Sequence, residues 1–198
     1  MVGFTDKQIK GKVLDHLGLV ASSIQQLGLV EKIDSYLPLC SHKGAKVTLG
    51  QRVAAMILYG LGFMDNGLYL FPGFLENKPV SRLLGKGLRA EDFNDDCLGR
   101  ALDKIPGYGV TRLFSQLTFS IGTEQGLLGR SAHFDTSTLS VYGAYEGEEE
   151  VLGLLAHPRY GYSKGHRPDL KQMVINLAST GASGFPIWME SHSWECFG

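Results

Sequence analysis

The chain has 198 residues, 43% hydrophobic and 20% charged, which is enough for one ordinary domain or two small ones and excludes wholesale disorder. Its formal net charge of -1 excludes nucleic-acid binding through overall charge, so any such binding needs a local basic patch. Cys40, Cys97 and Cys196 lack a zinc spacing, the six histidines form no HExxH pattern, and no apolar run is long enough for a membrane span.

The polar start MVGFTDKQIKGK lacks the apolar core of a signal peptide, and the scattered cysteines read as reduced thiols, so the expected location is cytoplasmic. Val20, Ile24 and Leu27 recur at helical spacing, and Leu29, Val30, Ile33 and Leu37 continue the helical reading until Pro38 stops it. After the polar loop CSHKGAK, Thr48 is the expected N-cap of LGQRVAAMILYGLG, with Leu49, Val53, Met56, Ile57 and Leu61 facing inward. Gly, Pro and Asn break LYLFPGFLENKP into short pieces, whose Phe71, Phe74 and Leu75 are expected in the core. EDFNDD opens a helix through CLGRALDKI, with Asp95 or Asp96 as cap and Leu98, Leu102 and Ile105 inward. VTRLFSQLTFSIGTEQ is an amphipathic helix that Gly122 is placed to end.

Beyond about residue 128 the pattern changes to strands. SAHFDTSTLSVYGAY is rich in Thr, Ser, Val and aromatics, LKQMVINLAST has strand-like apolar spacing, and FPIWMES follows the short turn GASG as the return strand of a hairpin. The expected fold class is α+β, with a mostly helical region over 1–128 and the first strands of an incomplete mixed sheet over 129–198. A sheet with so little to cover it is expected to expose Met173, Ile175, Leu177, Ile187 and Trp188 as a sticky patch, with poor solubility or disorder after residue 130.

Two features of this second region carry chemistry. Strand alternation in HFDTSTLSV puts Phe134, Thr136 and Thr138 on one face and His133, Asp135 and Ser137 on the other. Aspartate is depleted in strands, and a carboxylate held rigidly there suits a hard divalent cation; the plainer reading is an edge aspartate bonded to neighbouring hydroxyls. The stretch PRYGYSKGHRPDLKQ sets Arg159, Lys164, His166, Arg167 and Lys171 among Tyr160 and Tyr162, opposed by Asp169 alone. Cations mixed with aromatics suit a phosphate backbone and unstacked bases, and the plainer reading is a solvated loop balancing the acidic run EGEEE.

HFDTSTLSVYGAY followed by GYSKGHRPDLKQMVINL resembles the insertion-sequence transposases of the DDE class, of bacterial type, and so do LGLVEKIDSYLP, TLGQRVAAMIL and FNDDCLGRALDKI. The resemblance runs from about Leu17 to Glu190. It implies an RNase H-like catalytic domain from near residue 130, with Asp135 as the first aspartate of the DDE triad and a ligand of Mg²⁺ or Mn²⁺. It also implies N-terminal helices that recognise DNA ends or assemble the complex. The partners would be the element's terminal inverted repeats and a homo-oligomer or a mixed assembly with full-length transposase. The activity would be DNA cleavage and strand transfer by two metal ions. The sequence departs from the family at Gly165, where members usually carry an acidic residue, and after Glu190, where the second aspartate and the glutamate have no match. The expectation is therefore a truncated transposase, inactive alone. The alternative is a DNA-binding regulator that acts through its helices, and an unrelated small α+β protein is the third reading.

Overall fold

The computed structural model of the chain describes residues 11–38, 46–62, 67–143, 156–161 and 167–193. The fold is α+β, with seven α-helices and a four-stranded antiparallel sheet among the described residues. The chain forms two compact units, Met1–Tyr108 and Gly109–Gly198.

The first unit holds α1 (Leu17–Gln26), α2 (Leu29–Tyr36), α3 (Leu49–Leu61), α4 (Phe71–Glu76), α5 (Val80–Leu83) and α6 (Asp95–Tyr108). The helical stretch read as continuous up to Pro38 is two helices. Gly28 separates them with a left-handed φ of 58°, a conformation cheap only for a residue without Cβ.

Thr48 caps α3 as expected. Its hydroxyl accepts from the Gln51 amide at 3.2 Å, and the Thr48 amide donates to the Gln51 side chain at 2.9 Å, a reciprocal capping box. The buried face agrees with the expected one in part. Leu49 is buried, and Met56 and Ile57 are half-buried and pack against the core, but Leu61 is exposed and Ala54, Ala55, Leu58 and Tyr59 are buried as well. The helix crosses α2 closely. A Cβ on Gly50 would overlap the Val30 backbone carbonyl, and the Gly50 amide donates to Asp34 Oδ1 at 2.7 Å. Gly50 is thus the point of close approach between the two helices.

Phe71 and Leu75 of α4 are fully buried, as expected for the core, and Phe74 packs against it. Tyr59 lies 5.0 Å from Phe71 and 5.2 Å from Phe74 between ring centroids, in tilted and edge-on arrangements that aromatic quadrupoles favour. Helix α6 is capped by Asn94, whose Oδ1 accepts from the Cys97 amide at 2.8 Å, rather than by Asp95 or Asp96, which occupy the first turn. Leu98 faces inward, but Leu102 is exposed.

The second unit holds α7 (Val110–Glu124) and the strands β1 (Ala132–Val141), β2 (Arg159–Tyr160), β3 (Lys171–Thr180) and β4 (Pro186–Ser193). Gly122 does not end α7. It is a buried position inside the helix, where a Cβ would crowd Leu128, and the chain leaves through Gly126 at a left-handed φ of 65°. Strand β3 is central. It pairs with β1 along one side and with β4 and the two-residue β2 along the other. The expected β3–β4 hairpin is present, closed by the Thr180 amide donating to the Phe185 carbonyl at 2.8 Å. Helix α7 packs beside β4, where the Thr118 hydroxyl reaches the Ile187 carbonyl at 3.1 Å.

The register fixes the faces. Asp135, Leu177 and Met189 stand in one row, and Thr136, Asn176 and Glu190 stand in the next, on the opposite face. The expected apolar patch is therefore split. Met173, Ile175 and Leu177 share the Asp135 face with Leu139 and Met189. Trp188 lies on the other face against Phe134, with ring centroids 5.5 Å apart. Ile187 is the extra residue of a bulge, because Trp188 pairs with Ala178 and Pro186 with Ser179.

Candidate nucleic-acid interface

Asp135 sits in the middle of β1 and is exposed, as are His133, Phe134 and Ser137. Its Oδ1 accepts from the Thr136 amide at 2.8 Å. Thr136, on the far face, donates its hydroxyl to the buried Asn176 at 2.9 Å and so ties β1 to β3 at this level. Glu190 projects from the Asn176 side of the sheet and pairs with His192 at 2.9 Å, so it does not share a face with Asp135. Among the described residues, no group of three or more His, Cys, Asp or Glu side chains is placed to hold a metal ion. One carboxylate does not make a two-metal centre, since Mg²⁺ gives up its waters reluctantly and a catalytic pair needs several carboxylates. The described residues therefore do not fit that site by themselves.

The basic stretch lies at the other end of the same sheet. Tyr160 pairs in register with Lys171, and Lys171 pairs on its other side with Val141. Tyr160, Lys171 and Asp135 share a face. Lys171 Nζ lies 5.7 Å from the Tyr160 ring centroid, a cation–π contact, and Tyr160 remains 65% exposed. Asp135 and Val141 are six positions apart on β1, so Asp135 stands about 20 Å from the Lys171 row at the usual rise per strand residue. The structure places Asp135 and Lys171 on one face but does not bring them together, and Arg159, in register with the buried Gln172, stands on the other face.

Arg167 forms a two-pronged ion pair with Asp169, at 2.8 and 2.6 Å. The Asp169 carboxylate raises the Arg167 guanidinium further above its already high range, and Arg167 holds Asp169 below the usual carboxylate range. Tyr142, 73% exposed just past the end of β1, also hydrogen-bonds Arg167. Arg159 pairs in register with Gln172. Lys164, His166 and Tyr162 lie outside the described residues.

Two contributors are missing from a reading of the basic stretch alone. Gln172 is fully buried, and its amide donates to the Gly161 carbonyl at 2.9 Å and the Arg167 carbonyl at 3.1 Å. It thereby holds the backbone at Gly161 and at Arg167. The signal was a polar residue in phase with Val174 on the inward face of a strand. Tyr142 lies 17 positions before Arg159 in the sequence, and only the β1–β3 pairing brings it to the same end of the sheet.

In the first unit the acidic group near α6 has structural partners. Asp92 takes Lys46 at 2.6 Å and the Arg89 amide at 2.7 Å, and Asp96 meets Arg100 at 3.6 Å. A cleft of about 510 Å³ is lined there by Lys12, Arg82 and Arg89 together with Glu76 and Glu91, a mixed charge that favours no anion strongly.

The sequence pattern of a family described as a domain of unknown function, DUF4277, matches residues 9–119, more than half of the chain. The chain belongs to the DUF4277 family. No curated protein and no solved structure matches it. The DUF4277 match takes in α1 to α6 and the first part of α7, so Asp135 and the basic end of the sheet lie beyond it. No helix among the described residues is long and apolar enough to cross a membrane.

Proposed function

We propose that this chain acts in DNA transposition of the DDE class, binding the ends of an insertion sequence. Asp135 occupies the place of the first metal-binding aspartate, and the Lys171 end of the sheet holds the phosphate backbone. The observation that carries the reading is the common face. A carboxylate in mid-strand and a cation–aromatic pair at the strand end look the same way, separated by about 20 Å, a span that a few successive phosphates of a DNA strand can bridge. The antiparallel order β1–β3–β4, with Asp135 on the first strand, also supports an RNase H-like reading of this unit. In an intact enzyme of this class Mg²⁺ or Mn²⁺ would activate the attacking oxygen. Here the described carboxylates supply one ligand, so no step is assigned to the metal.

A second reading rests on that same single carboxylate. The chain would be a DNA-binding regulator, occupying the terminal repeats alone or in mixed assemblies with a complete transposase. Both readings require binding to terminal inverted repeats. A gel-shift titration with the repeat duplex and a scrambled duplex of equal length tests it. Retention of the repeat at concentrations that leave the scrambled duplex free supports the proposal, and equal retention contradicts end recognition. Inhibition of a complete transposase on the same ends then favours the regulator.

A further inference from the structure

We infer that the Lys171 end of the sheet stacks an unpaired DNA base on Tyr160, with Lys171 placed for the adjoining phosphate. The inference rests on the DNA-binding reading above and names the form of DNA that the site takes. Its basis is the juxtaposition of an exposed ring with a cation on one face of the sheet. Tyr160 is 65% exposed and pairs in register with Lys171. Lys171 lies over the Tyr160 ring. Tyr160 is not among the buried residues, so its ring is not explained by core packing. A duplex presents phosphates to cations but hides the faces of its bases inside the stack. An exposed ring beside a cation is used fully only by a base that is out of the stack, as in a single strand or a frayed end. Gln172 adds rigidity, since it is fully buried and anchors the backbone at Gly161, next to Tyr160.

The test uses the full chain and fluorescent oligonucleotides of arbitrary sequence. The probes are a blunt duplex, the same duplex with a short thymine overhang, and that duplex with abasic sites in the overhang. The wild type is expected to bind the thymine overhang more tightly than the blunt and abasic forms. Tyr160→Ala is expected to lose about 5- to 150-fold on the thymine overhang, the range for one stacked base, and little on the blunt duplex. Tyr160→Phe retains the preference, because the ring face remains. Equal wild-type affinity for all three probes overturns the inference. So does a Tyr160→Ala loss that is the same on each probe, or one that appears only as altered sedimentation of the protein, which marks a protein contact. If the terminal repeats are recognised but the overhang adds nothing, the stacking site is wrong and the end-binding reading stands. If the overhang preference is present without recognition of repeats, the site stands and the reading of the chain as an end-binding protein falls.

Discussion

Asp135 is exposed on β1, so its charge contributes little to holding the fold. Asp135→Ala is expected to change unfolding free energy by no more than about 0.5 kcal/mol, the ordinary range for a surface substitution. The chain alone, given Mg²⁺ or Mn²⁺ and cognate ends, is expected to yield no strand-transfer product. Metal-dependent cleavage that disappears in Asp135→Ala would contradict that. Asp15 behaves in the opposite way. Its side chain accepts from Lys78 at 2.7 Å and from the Leu17 amide at 3.2 Å, which lowers its pKa. Asp92 is also lowered: burial opposes its charge, but Lys46 and the Arg89 amide outweigh it. A carboxylate whose folded pKa is depressed stabilises above its unfolded value, about 4, and the gain is lost as pH falls through the folded pKa. The denaturation midpoint is therefore expected to fall below about pH 4, with a shallower decline in Asp15→Asn. An unchanged pH dependence in that variant would show that the Lys78 pair does not contribute.

Among the elements, α3 is the most constrained. Thr48→Ala removes the hydroxyl that accepts from Gln51 and is expected to cost about 1 kcal/mol by urea denaturation. Gly50→Ala drives a methyl into the Val30 backbone and is expected to cost about 1–3 kcal/mol, as overpacking generally does. A neutral Gly50→Ala would mean that α2 and α3 do not cross so closely. The sequence shows these elements unevenly. The cap at Thr48 is local chemistry and is legible three residues from its partner. The buried face of α3 is legible only in part, because it depends on how α1, α2 and α6 pack on it, and the exposure of Leu102 on α6 likewise depends on tertiary packing. Gly122 has the local look of a helix end, yet it is a contact position whose reason, Leu128 folded back on it, appears only in three dimensions. On β1 the period-2 alternation correctly separates Asp135 from Phe134, since strand geometry alone decides it.

At the scale of the molecule, the boundary read at 128/129 rests on the change from helical to strand pattern, whereas the compact units divide at 108/109. Helix α7 joins the sheet through Thr118 and β4, a non-local contact that composition does not reveal. The site is legible in part. Asp135, Tyr160 and Lys171 stand out by residue type, but their shared face and their separation of about 20 Å follow from strand register. The apolar strip between them includes Leu139, 51% exposed, and Leu177, 38% exposed. Changing both to Thr keeps strand propensity and is expected to raise solubility, read as the concentration at which light scattering appears. No change would mean that this strip is not the source of association.

The measurement closest to the central claim is the salt dependence of binding to a terminal-repeat duplex, compared between the wild type and Lys171→Ala. Binding should weaken linearly in log salt, and the variant should bind more weakly on all sequences with a slope smaller by about one, the signature of one lost phosphate contact. No wild-type binding at low salt, or an unchanged slope in Lys171→Ala, would contradict the assignment of DNA to this end of the sheet.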